Sequence, residues 1–222
     1  MTTALHILPI HLVASGVQRA VYLHPTDKTK LIKVMKRAAD MPLRRNFNGV
    51  IDRWFPSTRL RQIRKEYSEY LRIMLQHPEP DFHAPMSHMY GFVSTDLGLG
   101  CLTERVMNPD GSLGPTLDAL VKGDKLNDTH IALLNDTMTR LYKNNIRASD
   151  MNPKNFVFGH RDSGSGLEPL ECVLVDGFGD IHAIPVRSMA SWSNRLGLDD
   201  SCKRLANNTG LTWDPKTRQF SR

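Results

Sequence analysis

Cysteine is scarce in this chain of 222 residues: there are three, Cys101, Cys172 and Cys202, and no C-x-x-C pair. That odd, scattered set argues against a disulfide framework and a cysteine zinc site, and a reducing compartment is the simplest expectation. Also missing is any run near the roughly 20 apolar residues a membrane-spanning helix needs. The weakly apolar stretch from Leu5 to Ala14 has no basic region before it, and His6, Pro9 and His11 interrupt it. It reads as a folded strand region rather than a signal peptide, so the expected location is cytoplasmic. There is no internal repeat and no long low-complexity tract. Hydrophobic residues at 40% and charged residues at 23% place the chain among globular proteins, neither disordered nor fibrous.

Charge is mild overall, +6 with His neutral. It permits an anionic partner without requiring one. It is also uneven. Between Asp27 and Arg72 thirteen Lys/Arg stand against five acids, a local +8, which leaves about −2 for the rest. Trp54, Phe47 and Phe55 in this window could stack on bases. A solvated helix face is the commoner reading of such a run, so a nucleic-acid partner is not expected. A protein partner through residues 27–72 stays open.

The first third predicts short strands: Pro9–Ala14 ending at Ser15-Gly16, then Ala20–Leu23, then Leu31–Met35 after a turn over His24–Thr29. Short connections predict an antiparallel meander. Leu60, Ile63, Tyr67, Tyr70, Leu71 and Met74 recur at helical spacing and predict a helix over 58–75, stopped by Pro78 and Pro80. Strands are predicted at Tyr90–Val93 and Gly100–Val106, and a short helix at Thr116–Val121. A longer helix runs over 128–144, capped by Asp128, with Ile131, Leu134, Met138 and Leu141 as its buried stripe. Phe156–Phe158 and Cys172–Val175 form a strand pair around the polar loop 161–166. Residues 186–208 predict a helix in two pieces broken near Gly197-Leu198. Strands and helices do not alternate regularly, so the class is α+β rather than a doubly wound sheet.

One constellation carries chemistry. Asp150-Met151-Asn152-Pro153-Lys154-Asn155 follows the longer helix and leads into an apolar strand. Val173-Leu174-Val175 then ends in Asp176-Gly177-Phe178-Gly179. Each residue alone suits a turn or a strand end. The joint order of helix, D-x-x-P-x-N, strand, loop, strand and D-x-x-G is much rarer, and a hairpin can bring its two ends together. Phosphoryl transfer needs such a set: a carboxylate for the attacking hydroxyl, and an Asn and a second carboxylate for Mg²⁺ on the nucleotide phosphates. No histidine spacing suggests a zinc site, His83 and His88 included.

This order resembles the catalytic and metal-binding loops of the protein-kinase-like fold. More closely, the chain resembles the YrbL family of PhoP regulatory network proteins. The likeness covers nearly its whole length. It includes Tyr22-Leu23-His24-Pro25, Ile32-Lys33-Val34, Ile63-Arg64-Lys65-Glu66-Tyr67, the stretch Gly91–Gly100, and Ile184-Pro185 through Trp192. The resemblance implies two lobes: residues 1–105 as a strand-rich nucleotide-binding N-lobe, and 106–222 as a reduced helical C-lobe with the catalytic and metal loops. ATP with Mg²⁺ would bind between them. Asp150 would be the catalytic base, Asn155 and Asp176 the metal ligands, and Lys33 the contact to the α/β-phosphates. Glu66 would be the helix carboxylate paired with Lys33, with Glu69 as its competitor one turn away. Ser15, Gly16 and Val17 would form the phosphate loop, and Leu102–Val106 the hinge to the adenine, with Glu104 and Val106 as contacts.

Departures from active kinases are visible. One glycine, Gly16, stands where three are usual. Ala148 occupies the position of a supporting His. The metal loop D-G-F-G is one residue longer than D-F-G. After Gly179 only 43 residues follow, and no activation segment, A-P-E motif or substrate platform is legible there. A small-molecule or sugar hydroxyl is therefore the expected acceptor rather than a protein. Two functions remain: an ATP-dependent phosphotransferase, or a pseudokinase acting as a regulatory binding module in a bacterial envelope-stress response.

Overall fold

Burial alternates along Lys30–Met35: Ile32 and Val34 are buried on one face of the strand and Lys33 lies on the other. In a computed structural model, which describes residues 4–16, 18–36, 57–180 and 190–222, this strand is the centre of an antiparallel sheet. The strands are β1 (Leu12–Ser15), β2 (Arg19–Leu23), β3 (Lys30–Met35), β4 (Met89–Thr95) and β5 (Gly98–Glu104), in the spatial order β1-β2-β3-β5-β4. The meander of the first three is as expected. Ile7, Ile32 and Val34 form the buried cluster of this sheet, with Leu5, Tyr22, Val93 and Leu102 packed on it. Pro9 does not begin a strand. It opens a single 3-10 turn, Pro9–His11, whose first position suits a residue without an N–H.

Two compact units divide the chain. One consists of residues 1–61 and 88–105 and holds this sheet; the other consists of residues 62–87 and 106–222. The helix α1 (Ser57–Gln76) belongs to the second unit from Gln62 onward.

In the second unit α2 (Leu117–Lys122) is capped by Thr116, and α3 (Asp128–Lys143) by Asn127. Asp128 was the expected cap of α3. Instead the Asn127 side chain accepts from His130 N at 3.0 Å, and Asp128 lies in the first turn, where a carboxylate complements the helix dipole. The buried stripe of α3 is as read, with Leu134, Met138 and Leu141 fully enclosed. It packs on the hairpin of β6 (Phe156–Gly159) and β7 (Glu171–Leu174). Thr137 sits in that stripe without exposure, and its hydroxyl donates to Cys172 O at 2.6 Å.

The last helix, α4 (Ser191–Thr209), is continuous. The expected break at Gly197-Leu198 does not occur, because Leu198 is fully buried and holds the helix against the core. Gly210, at φ +72°, ends it in a left-handed cap. The part of the predicted helix before Ala190 lies outside the described residues. A final hairpin, β8 (Thr212–Asp214) and β9 (Gln219–Ser221), has no counterpart in the sequence reading. Asn135 of α3 clamps it, accepting from Phe220 N at 2.7 Å and donating to Phe220 O at 3.0 Å. No described helix is long and apolar enough to cross a membrane.

Thr137→Val keeps shape and deletes the hydroxyl, so Cys172 O loses its donor inside the core. Urea unfolding should show a loss of about 1–3 kcal/mol, with the helical signal in circular dichroism unchanged.

Candidate functional site

After α3 the chain is held at both sides of Asp150. Ile146 and Ala148 are fully buried before it, and Met151 and Pro153 are buried after it, while Asp150 itself is exposed. Asn152 caps a short 3-10 turn, Pro153–Asn155, by accepting from Lys154 N at 3.0 Å. That turn delivers Asn155 to the start of β6. Asn155 Nδ2 donates to Asp150 O at 2.9 Å, and Asn155 O accepts from Val175 N at 2.8 Å. One residue later comes Asp176, half-buried, whose carboxylate accepts from Gly177 N at 2.7 Å. Asp150 N closes the circuit by donating to Gly177 O at 3.2 Å. Backbone bonds thus bring Asp150, Asn155 and the Asp176-Gly177 turn together.

Position 177 has no room for a side chain. Gly177 has φ +81°, and a β-carbon there would collide with Asp150 O and come within 2.8 Å of Asn155 Nδ2. The extra residue of the D-x-x-G loop is this glycine. It lets the chain turn so that Phe178, 2% exposed, enters the core. Gly179 follows at φ +96°, with its N–H donating to Arg147 O at 2.7 Å and its carbonyl accepting from Ser149 Oγ at 2.9 Å. Ser149, Arg147 and the buried Asp180 were not singled out from the sequence.

The other predicted residues stand as follows. Lys33 is half-buried on β3, between Val21 of β2 and Cys101 of β5. Glu66, on α1 in the second unit, is 2% exposed. Its competitor Glu69 is as deeply buried but committed elsewhere, to Arg72 and Arg147. Ser15 and Gly16 close the β1–β2 connection, where Gly16 N donates to Arg19 O at 2.9 Å and Lys36 Nζ donates to Gly16 O at 2.6 Å. Val17 lies outside the described residues. Glu104 N donates to His88 O at 3.0 Å, and its carboxylate accepts from His88 N at 2.8 Å. Val106 is buried in the second unit, and its carbonyl accepts from Gly114 N at 3.1 Å.

A second group of ionisable residues was not foreseen. His83, Glu168 and Glu171 place one ligand atom each within 4.8 Å of one another. Two guanidiniums already occupy it: Arg161 Nε lies 2.6 Å and Arg140 Nη2 3.1 Å from the Glu171 carboxylate. A divalent cation would have to enter against both charges, so the cluster reads as an ion network. His83 Nε2 completes it at 2.8 Å from Glu171. Burial pushes the Glu171 pKa up, but the His83 hydrogen bond and the Arg161 and Arg140 partners outweigh it and hold the carboxyl below its ordinary value of 4.5.

Gly177→Ala should cost more than Gly111→Ala. Gly111 has a similar φ of +80° but open space around it, so its variant carries backbone strain alone, about 1–3 kcal/mol. The Gly177 variant adds the collision with Asp150, and the difference between their urea midpoints measures it. Glu171→Gln should lose about 3 kcal/mol by removing the carboxylate that faces the buried Arg161 guanidinium; Arg140 keeps Asp136 at 3.1 Å. A depressed carboxyl stabilises the fold above its unfolded pKa and stops doing so as pH falls through the folded one. The deficit should therefore be full above about pH 5 and shrink below the ordinary value of 4.5.

No curated protein matches this sequence. The family model described as PhoP regulatory network protein YrbL matches residues 6–210, which takes in both units and every site residue above. The chain belongs to the YrbL family of PhoP regulatory network proteins.

Proposed function

We propose that the protein is kinase-like in fold and in chemistry, and that it transfers the γ-phosphoryl group of ATP to a non-protein hydroxyl. The observation that carries this reading is the backbone circuit joining Asp150, Asn155 and Asp176-Gly177, built from residues 150–155 and 175–177. Asp150 is exposed and flanked by buried anchors, the condition for a carboxylate that must meet a substrate without moving. In this role it accepts the proton of the acceptor hydroxyl as that oxygen bonds to the γ-phosphorus and the bond to the β-phosphate oxygen breaks.

Asn155 and Asp176 fit Mg²⁺ by donor type. Both offer hard oxygen atoms, and Asn155 Nδ2 is spent on Asp150 O, which leaves the amide oxygen for a cation. Mg²⁺ held there would neutralise charge on the phosphate oxygens. Lys33 is the proposed phosphate contact, and Glu66 the proposed helix carboxylate.

A second reading has its own support. Gly16 spends its N–H on Arg19 O, so the one glycine of the expected phosphate loop does not offer that donor to a ligand. Ala148 has no side chain with which to support the catalytic loop as a His does. Both fit a pseudokinase that binds a nucleotide to regulate, in keeping with the description of its family.

Melting curves with and without Mg²⁺ separate the readings. ATP with Mg²⁺ at about 100 times Kd should stabilise the wild type by about 2.7 kcal/mol, and Asp176→Asn should remove the Mg²⁺-dependent part. Asp150→Ala should keep the shift and abolish phosphate release onto a sugar hydroxyl. A full shift without turnover on any acceptor selects the pseudokinase; no shift in any condition overturns both readings.

A further inference from the structure

Glu69 is buried, at 2% exposure, and its side chain receives four hydrogen bonds. Two come from Arg72 on its own helix, at 3.1 and 2.5 Å. The other two come from Arg147, 78 residues away: the backbone N–H at 2.8 Å and Nη1 at 3.2 Å. Arg72 also reaches across, donating to Asn145 O at 2.9 Å. Asn145 is a non-glycine residue at φ +49°, and Asn194 of α4 grips its side chain at 2.9 Å. The segment entering the Asp150 loop is therefore fixed from α1 by one carboxylate and one guanidinium.

That segment is in turn bonded to the metal loop. Arg147 O accepts from Gly179 N, Ser149 Oγ donates to Gly179 O, and Asp150 N donates to Gly177 O. A β-carbon on Gly179 would stand 2.8 Å from Lys65 O and 3.2 Å from Glu66 N, so the backbone of α1 itself lies against the D-x-x-G turn. Three pieces of chain meet here: one turn of α1, residues 145–150 and residues 176–179, all in the second unit. Glu69 bonds α1 to the second of them at Arg147, Arg72 does so at Asn145, and the second holds the third.

We infer that Glu69 is a positioning residue for the Asp150–Asn155–Asp176 site, coupling α1 to the metal loop through the main chain of Arg147 and Gly179. The inference rests on the phosphotransfer reading only for its Mg²⁺ readout. Displacement of α1, or loss of the carboxylate, releases Arg147 N; Gly179 then loses a fixed acceptor, and Asp176 loses its fixed relation to Asn155. Glu69 touches neither nucleotide nor acceptor in this scheme. Removing an outer partner of this kind lowers metal affinity by about 10–100-fold where ligands depend on it.

Two variants and two measurements test this. Glu69→Gln keeps the shape and removes the charge; Glu69→Asp keeps the charge and shortens the reach to Arg147 N. Amide hydrogen exchange is read at residues 147–150 and 177–179, with Thr137→Val as a variant weakened elsewhere in the same unit. Mg²⁺ affinity is read by titration at saturating ATP. Both Glu69 variants should speed exchange in these two segments about ten-fold more than Thr137→Val does and weaken Mg²⁺ at least about ten-fold. A purely charge-balancing role predicts that Glu69→Asp behaves as wild type in both measurements, and that result overturns the coupling, as does unchanged exchange in Glu69→Gln. Should Glu69→Gln fail to fold, Glu69→Asp alone decides. Should the wild type show no Mg²⁺-dependent binding, the phosphotransfer reading falls, and the exchange pattern still settles whether Glu69 couples the two loops.

Discussion

Between residues 147–150 and 176–179 two stretches of backbone approach so closely that position 177 has no room for a β-carbon, and position 179 is closed off by Lys65 and Glu66 of α1. The glycines do not simply permit a turn; they permit contact. With side chains absent, the N–H and carbonyl groups of the two stretches can satisfy one another, as buried backbone requires. The exposed Asp150 is then carried between the buried Ser149 and Met151. A catalytic or binding carboxylate gains from such a mount, because no ordering remains to be done when a ligand arrives. The same contact explains how the Asp176–Gly179 loop can be one residue longer than D-F-G. Gly177 takes up the additional length at positive φ, and Phe178 is returned to the core.

The buried charges belong to the same design. Glu69 and Glu171 are each held by two guanidiniums. Each joins pieces of chain far apart in sequence: Glu69 ties α1 to residues 145–147, and Glu171 ties β7 to α3 and Arg161. Such pairs contribute little net stability compared with apolar packing, but breaking one is severe. Their value lies in fixing which piece of chain meets which. The groups that must stay in register here are the two loops of the candidate site.

Much of this fold is legible in the sequence, and the limits of legibility have physical causes. Elements with one buried face announce themselves: β3 through Ile32 and Val34, α3 through Leu134, Met138 and Leu141. The local constellation around Asp150 and Asp176 is legible because its spacing is fixed by a hairpin. Features decided by partners far along the chain are not. Glu69 and Glu66 look alike on the helix face, and the pairing of Glu69 with Arg147, 78 residues on, is decided too far along the chain to be read there. Arg161 opens a polar, Gly-rich loop and reads as exposed, yet it is 7% exposed because Ala84 O and Glu171 receive it. The break expected at Gly197 fails because burial of Leu198 outweighs the weak helix propensity of glycine, a difference of about 1 kcal/mol. The last hairpin is missed because its two strands are three residues each, too short for alternation to show.

Charge is another property that changes meaning once partners are known. Read along the sequence, residues 27–72 are a basic run. In the structure several of those cations are part of the fold: Lys30 lies 2.7 Å from Asp27, Lys36 donates to Gly16 O, and Arg72 is held on Glu69. Asp27 is pulled down to a pKa of about 2 by Lys30 and the Thr29 hydroxyl, so this pair stays ionised across the physiological range. A cation already bonded to a fixed oxygen must break that bond to meet a new anion, and it gains only the difference. The run therefore offers an incoming partner less than +8 suggests. The same logic separates the two functional readings. Asn155 keeps an oxygen for a ligand, whereas Gly16 has already spent its N–H. On the proposed reading, affinity for a nucleotide would lean on Asn155 and Asp176 more than on Gly16, and such binding could persist whether or not Asp150 completes the transfer.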